Sequence, residues 1–284
     1  MRLGNLSGRA VIIAGGGAVD VHHASGGRFG PHLPGIYRQW PEFSMWASTA
    51  SLNDPASFDE KDLEAPSPLP RQVFAVGLNY RDHAAESGQP VPENLTVFTK
   101  FASSFTGPHG VVAVPKSGNT DWEVELVIIV GAGGRDIPAS NAWDHVAGLT
   151  VGQDLSERIM QQMGSVPQFS LAKSFAGFSP TGPWLVTPNE LSTPDDLEIG
   201  ALLNGSVVQL SRTSELIFPV SEIIAGLSKV VQLYPGDVIF TGTPAGVGFG
   251  LKPPVFLRPG DELESYIEGI GRMKHAFVGE SSRR

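Results

Sequence analysis

The sequence has no cysteine among its 284 residues. That removes disulfides, a thiol nucleophile and a thiolate-bound zinc site together. Charge is sparse and skewed: 20 Lys and Arg against 29 Asp and Glu leave a formal net charge of −9. No basic run occurs, so nucleic acid is not an expected partner. No apolar run approaches the ~18 residues that a membrane span requires, so no membrane partner is expected either. The early segment AVIIAGGGAV is short, broken by glycine and without a clear cleavage site, and is not read as a signal peptide. A cytoplasmic location is the expectation. Also missing are a G-x-S-x-G elbow, an H-E-x-x-H pair, a Walker loop and a dinucleotide fingerprint, which removes the serine-esterase, zinc-protease and nucleotide-loop readings.

What is abundant is turn chemistry, with 34 Gly and 23 Pro. The pattern favours many strands and loops over a helical bundle. Residues 1–68 read as a small N-terminal domain: RAVIIAGGGAVDV gives strand, glycine turn, strand, and the Pro-rich EAPSPLPR marks a joint near Leu69. Residues 69–284 form the second domain. There, VFAVG, VVAVP, WEVELVIIVGA, VAGLTVGQD and DVIFTGT read as strands, as does the closing DELESYIEGIGRMKHAFV. LEIGALLNGSVVQL reads as a hairpin through Asn204 and Gly205. NYRDHAAES, LSERIMQQM and VSEIIAGLSKVV are helix-compatible. Hairpins outnumber βαβ units, which predicts a mixed, β-rich α/β domain instead of a doubly wound sheet.

The segment TDWEVELVII carries acids at alternate positions. In a strand these share a face, so Asp121, Glu123 and Glu125 point one way while Trp122, Val124 and Leu126 point the other. A solvated strand face is the ordinary outcome of such alternation. Here, however, acidic residues are poor strand formers, and the LVIIV that follows carries the strand toward a core. Buried carboxylates need a cation or donors. An all-oxygen site suits Mg²⁺, Mn²⁺ or Ca²⁺ rather than zinc.

Asp154, between the strand VAGLTVGQ and the helical stretch with Ser156, Arg158 and Gln161, is either a third oxygen ligand or a helix N-cap. His83 and Glu86 stand at i, i+3, close enough for a carboxylate to orient an imidazole as a general base; a plain surface pair has the same spacing. Lys173, among apolar and aromatic neighbours, either snorkels or supplies a cation inside a pocket. The Gly-rich FTGTPAGVGFG offers backbone N–H groups that can hold a carboxylate, or is simply a tight turn. His22, His23, His109, His145 and His275 have no spacing that compels a role.

Five segments in order, VGLNYRDHAAE, DWEVELVIIVG, GQDLSER, LAKSFAGFSPTGPWLV and IFTGTPAGVG, resemble the fumarylacetoacetate hydrolase family, in particular its acylpyruvate hydrolase-like members, over residues 70–278. The resemblance implies a mixed β-roll, a homodimer and, for residues 1–68, the variable extra domain of longer members. It implies that Glu123, Glu125 and Asp154 bind one Mg²⁺ or Mn²⁺, and that His83 and Glu86 form a water-activating dyad. Lys173 and Gln161 would meet the substrate, with Thr243 near its carboxylate and Arg81 and Arg158 either behind the ligands or as carboxylate partners. Asp121 stands where some relatives carry His and is expected behind the ligands, orienting water on the metal.

The implied activity is hydrolysis of a C–C bond in a 2,4-diketo acid to a pyruvate-type product and a carboxylic acid. Lys173 would stabilise the oxyanion, and ESGQPVPENL would be a lid over the substrate. Two alternatives stay open. One is a metal-dependent isomerase or decarboxylase of an oxo-diacid, of the 2-hydroxyhepta-2,4-diene-1,7-dioate or oxaloacetate type. The other is a non-catalytic metal-stabilised binding protein.

Overall fold

Val124–Val130, the VELVIIV segment, lies inside an eleven-stranded sheet in a computed structural model of the chain, which describes residues 1–116 and 118–280. All seven residues of this strand are buried, as expected for a strand covered on both faces. The strand pairs antiparallel with Val146–Gln153 on one side and with Val238–Phe240 on the other. The sheet continues from Val238–Phe240 through Val73–Gly77 to Thr96–Phe98. In the other direction it runs through Ser179–Val186 to Arg2–Leu6, Arg9–Ala14 and Gly17–Asp20. The first strand, Arg2–Leu6, joins the N-terminal ribbon to the rest through its pairing with Ser179–Val186. A second sheet has five strands, Ser206–Arg212, Glu198–Leu203, Glu262–Ile267, Gly271–Gly279 and His109–Val114. The architecture is the expected mixed, β-rich α/β fold.

Period two is visible in the packing. Trp122, Val124, Leu126 and Ile128 belong to one core, with Ile199, Ile223, Met273 and Phe277. Val127 and Ile129, on the opposite face, belong to another with Ile12, Leu33, Phe43 and Phe240. Glu125 shares the face of Val127 and Ile129. The N-terminal segment therefore packs on the same face of the strand that carries Glu125, further along at Val127 and Ile129, through helices Leu33–Tyr37 and Trp40–Ala47.

Local chemistry explains most elements. Val220, Ile223, Ile224 and Leu227 are the buried stripe of helix Val220–Val230, at the i, i+3, i+4, i+7 spacing. Asn204 (φ 50°) and Gly205 (φ 80°) make the two-residue turn of the expected hairpin, with Leu203 opposite Ser206. Two expectations need correction. The strand expected over residues 122–132 is interrupted at its start: Thr120–Asp121 pairs with Ser156–Glu157, whereas Val124–Val130 pairs elsewhere. Between them side chains replace the ladder. Gln153 Oε1 accepts from Glu123 N (2.9 Å) and Gln209 Oε1 accepts from Val124 N (3.0 Å). The helix expected over LSERIMQQM is one turn, Arg158–Gln161, capped by the Glu157 side chain.

Candidate active site

The antiparallel register brings the acids together. Val124 lies opposite Gln153 and Glu125 opposite Gly152, so Asp154 leaves its strand beside Glu123, whose carbonyl accepts from Asp154 N (2.9 Å). One carboxylate oxygen from each of Glu123, Glu125 and Asp154 lies within 4.8 Å of the others, and all three residues are buried. Three cations face them. Lys173, the C-cap of helix Phe169–Ala172, donates to Glu123 Oε2 (2.7 Å) and Asp154 Oδ2 (2.6 Å). Arg158 pairs with Asp121 Oδ2 (2.8 Å) and Glu123 Oε1 (2.7 Å) and donates to Gln161 Oε1. Lys100, 1% exposed, donates to Asp154 Oδ1 and to the Lys173 carbonyl.

The electrostatics show what the cluster lacks. Burial would lift the Glu123 carboxyl, but Lys173 and Arg158 outweigh it and hold it at about 2. Glu125 has no such partner: burial, then the charges of Asp154 and Glu123, push its carboxyl well above the usual range. Four buried carboxyl groups (Asp121, Glu123, Glu125, Asp154) face three buried cations (Lys100, Arg158, Lys173), and Glu125 is the one with no ion-pair partner among them. A divalent cation beside Glu125 would supply the positive charge it lacks, and an oxygen-only donor set suits Mg²⁺ or Mn²⁺. The three carboxylates therefore fit such an ion.

The dyad residues are also in contact. His83 and Glu86 lie on helix Arg81–Glu86, with Nδ1 3.2 Å from Glu86 Oε2. The helix is anchored by the fully buried Asn79, whose amide donates to the Phe218 and Thr241 carbonyls and accepts from Phe218 N. Gly242 (φ 100°) passes so close to Asn79 that a Cβ there would lie 2.7 Å from the Asn79 Cβ, which explains the glycine.

The Gly-rich loop does hold carboxylates, and they belong to the protein itself. Gly242 N donates to Glu125 Oε2 (2.7 Å) and Gly246 N to Glu86 Oε1 (3.0 Å). Gly248 N and Phe249 N donate to Asp121 (2.7 and 3.0 Å). One loop thus orients a triad member, the dyad carboxylate and the partner of Arg158.

A cavity of about 520 Å³ opens over these groups, and His83, Glu123, Glu125, Asp154, Arg158, Gln161, Lys173 and Thr243 all line it. Thr243 has spent its hydroxyl proton on the Val124 carbonyl and accepts from Gln209. Arg81 is exposed at the start of its helix and does not line the cavity. Asp121 contacts Arg158 and the loop N–H groups. Ser87 and Gln89 line the cavity, so the segment expected to be a lid borders it. Lys100 and Gln209 carry no motif and were not expected at the site.

A family profile described as fumarylacetoacetate (FAA) hydrolase C-terminal matches residues 72–278. A human protein named oxaloacetate tautomerase FAHD2A, mitochondrial, is 47% identical over 208 residues; the match covers 73% of this chain and 66% of that protein, just under two thirds of its length. A crystal structure of a protein described as a putative HpcE protein from Mycobacterium smegmatis is 58% identical with a TM-score of 0.95, covering 99% of this chain and 100% of that one. Maleylpyruvate hydrolase from Sphingobium sp. SYK-6, solved with manganese(II) and pyruvate, is 26% identical with a TM-score of 0.77 over 99% of this chain and 100% of that one. No helix among the described residues is long and apolar enough to cross a membrane.

Proposed function

This chain belongs to the fumarylacetoacetate hydrolase family, and on that premise we propose that it is a divalent-metal-dependent enzyme that moves a proton on the enol of a 2-oxo acid. The observation that carries this is the position of His83, tied to Glu86 and lining the same cavity as the three carboxylates. Glu123, Glu125 and Asp154 would hold Mg²⁺ or Mn²⁺. Such an ion, when bound, supplies Lewis-acid stabilisation of negative charge on the substrate's oxygens.

The chain's own residues do the rest. Glu86 accepts the Nδ1 proton of His83, which leaves Nε2 as the basic nitrogen. His83 takes the enol hydroxyl proton and returns a proton to C3, giving the keto form. Lys173 faces the developing oxyanion, and Gln161 and Arg158 meet the substrate's polar edge. Tautomerisation is the reaction in the name of the 47% identical human relative.

A second reading is C–C hydrolysis of a 2,4-diketo acid, supported by the manganese and pyruvate of the Sphingobium hydrolase. In it His83 takes a proton from water, and the water oxygen adds to the C4 carbonyl. The C3–C4 bond then breaks to a carboxylic acid and a pyruvate enolate, which is protonated at C3. We also propose a homodimer, to be read by sedimentation, and a cytoplasmic location, to be read by fractionation; the human relative's name places that protein in mitochondria.

The test follows enol-oxaloacetate and acylpyruvates by ultraviolet absorbance with Mg²⁺ or Mn²⁺ present, and identifies the products. Keto acid without pyruvate or CO₂ supports tautomerisation; pyruvate with a carboxylic acid supports hydrolysis; CO₂ release supports decarboxylation of an oxo-diacid. His83→Ala is expected to lose about 100-fold or more in kcat and to bind Mn²⁺ as the wild type does. A wild-type rate in that variant removes the dyad from the mechanism. No turnover by the wild type on any of these acids favours a non-catalytic binding protein.

A further inference from the structure

The part of the substrate beyond its 2-oxo acid head has its own wall. A cavity of about 520 Å³ lies in the range that encloses a drug-sized ligand (roughly 300–1,000 Å³), well beyond what a pyruvoyl head fills. Among the described lining residues the basic ones are His83, Arg158 and Lys173. Arg158 and Lys173 are already paired with Asp121, Glu123 and Asp154, and His83 is tied to Glu86. Apart from the carboxylates, the rest of the lining is neutral and includes Gln89, Thr96, Phe98, Gln162, Ser165 and Phe169.

Its aromatic part begins where the head is held. The Lys173 ammonium sits 5.0 Å from the centroid of the Phe98 ring, and Phe98 packs on Phe169 with centroids 5.5 Å apart. A carboxylate laid against these two rings meets no hydrogen-bond donor from them, and the residues beyond, Gln89, Thr96, Gln162 and Ser165, are exposed and uncharged. An aryl or alkyl tail buries its surface against the two rings.

We infer that this chain takes 2-oxo acids whose tail beyond the pyruvoyl head is uncharged and apolar, and that Phe98 and Phe169 select that tail. The inference rests on the 2-oxo acid reading of the same site. It sets this chain apart from an enzyme tuned to oxaloacetate, whose far end is a second carboxylate.

The experiment is calorimetric binding of 2-oxobutanoate, 2-oxo-4-phenylbutanoate and 2-oxoglutarate to the Mg²⁺-loaded protein. It is paired with kcat/KM for 2,4-diketo acids bearing methyl, phenyl and carboxyethyl tails. The phenyl compound is expected to bind at least about tenfold more tightly than 2-oxoglutarate, with the same order in kcat/KM. Phe169→Ala is expected to reduce that preference severalfold. Gln162→Arg, at an exposed position, is expected to improve binding of 2-oxoglutarate relative to the phenyl compound. Equal or tighter binding of 2-oxoglutarate by the wild type overturns the inference while leaving the head assignment standing. Failure of all three acids to bind overturns the head assignment, and the inference falls with it.

Discussion

Replacing Lys100 by methionine probes how the buried carboxylates are balanced. Lys100 is 1% exposed and donates to Asp154 Oδ1 and the Lys173 carbonyl. Burial draws its ammonium pKa down, and Asp154 opposes the shift. Methionine keeps much of the stem's volume but removes the charge and its donors. Asp154 is left with Lys173, 2.6 Å away, as its paired cation. Removing one partner of a buried ion pair costs about 3–5 kcal/mol. At roughly 2–4 °C per kcal/mol for domains near this size, Tm is expected to fall by about 10 °C in a chelator. With Mg²⁺ present the ion's charge replaces part of what the ammonium supplied, and the fall is expected to shrink by half or more. Scanning calorimetry in chelator and in Mg²⁺ reads both values. A drop under about 2 °C in chelator would show that Asp154 does not need this cation. An equal drop in both conditions would show that no ion settles beside it.

Two other perturbations separate catalysis from folding. A Cβ on Gly250 would lie 2.4 Å from Glu86 Cδ, so Gly250→Ala is expected to push that carboxylate off His83 and lower kcat about 100-fold. Mn²⁺ affinity by calorimetry should stay at the wild-type value; a loss of both would mean that the whole site had collapsed. Burial holds the His275 imidazole down at about 4, against 6.5 for the free group. The unfolded chain therefore binds a proton that the folded chain refuses, and the stabilisation is complete above pH 6.5 and lost as pH falls toward 4. This group alone is worth about 3 kcal/mol over that window. Urea unfolding at pH 7 and pH 5 should show a shallower pH dependence in His275→Gln, and an unchanged slope would contradict the assignment.

The legible part of this molecule is what period and turn chemistry encode. Alternation placed Glu123 and Glu125 opposite Trp122, Val124 and Leu126, and these apolar residues do enter a common core. The Asn204–Gly205 turn and the stripe of helix Val220–Val230 were equally readable. What escaped were contacts made across long sequence separations. Lys100 sits in a short stretch with no motif, and only the fold shows that its ammonium reaches Asp154, 54 positions away. The ladder break at Trp122 and Glu123 depends on Gln153 and Gln209, whose side chains stand in for a strand. The glycine loop was readable as a carboxylate holder, but not that Asp121, Glu86 and Glu125 are the carboxylates it holds. Arg81 follows the motif in sequence yet is exposed, because the buried side of its short helix is taken by His83 and Ala84.

The central claim is that Glu123, Glu125 and Asp154 share one divalent ion, and anomalous diffraction from crystals grown in Mn²⁺ measures it most directly. The expected result is a single strong manganese peak within bonding distance of an oxygen from each of the three carboxylates. A map with no peak there, while Lys173 still bridges Glu123 and Asp154, would contradict it.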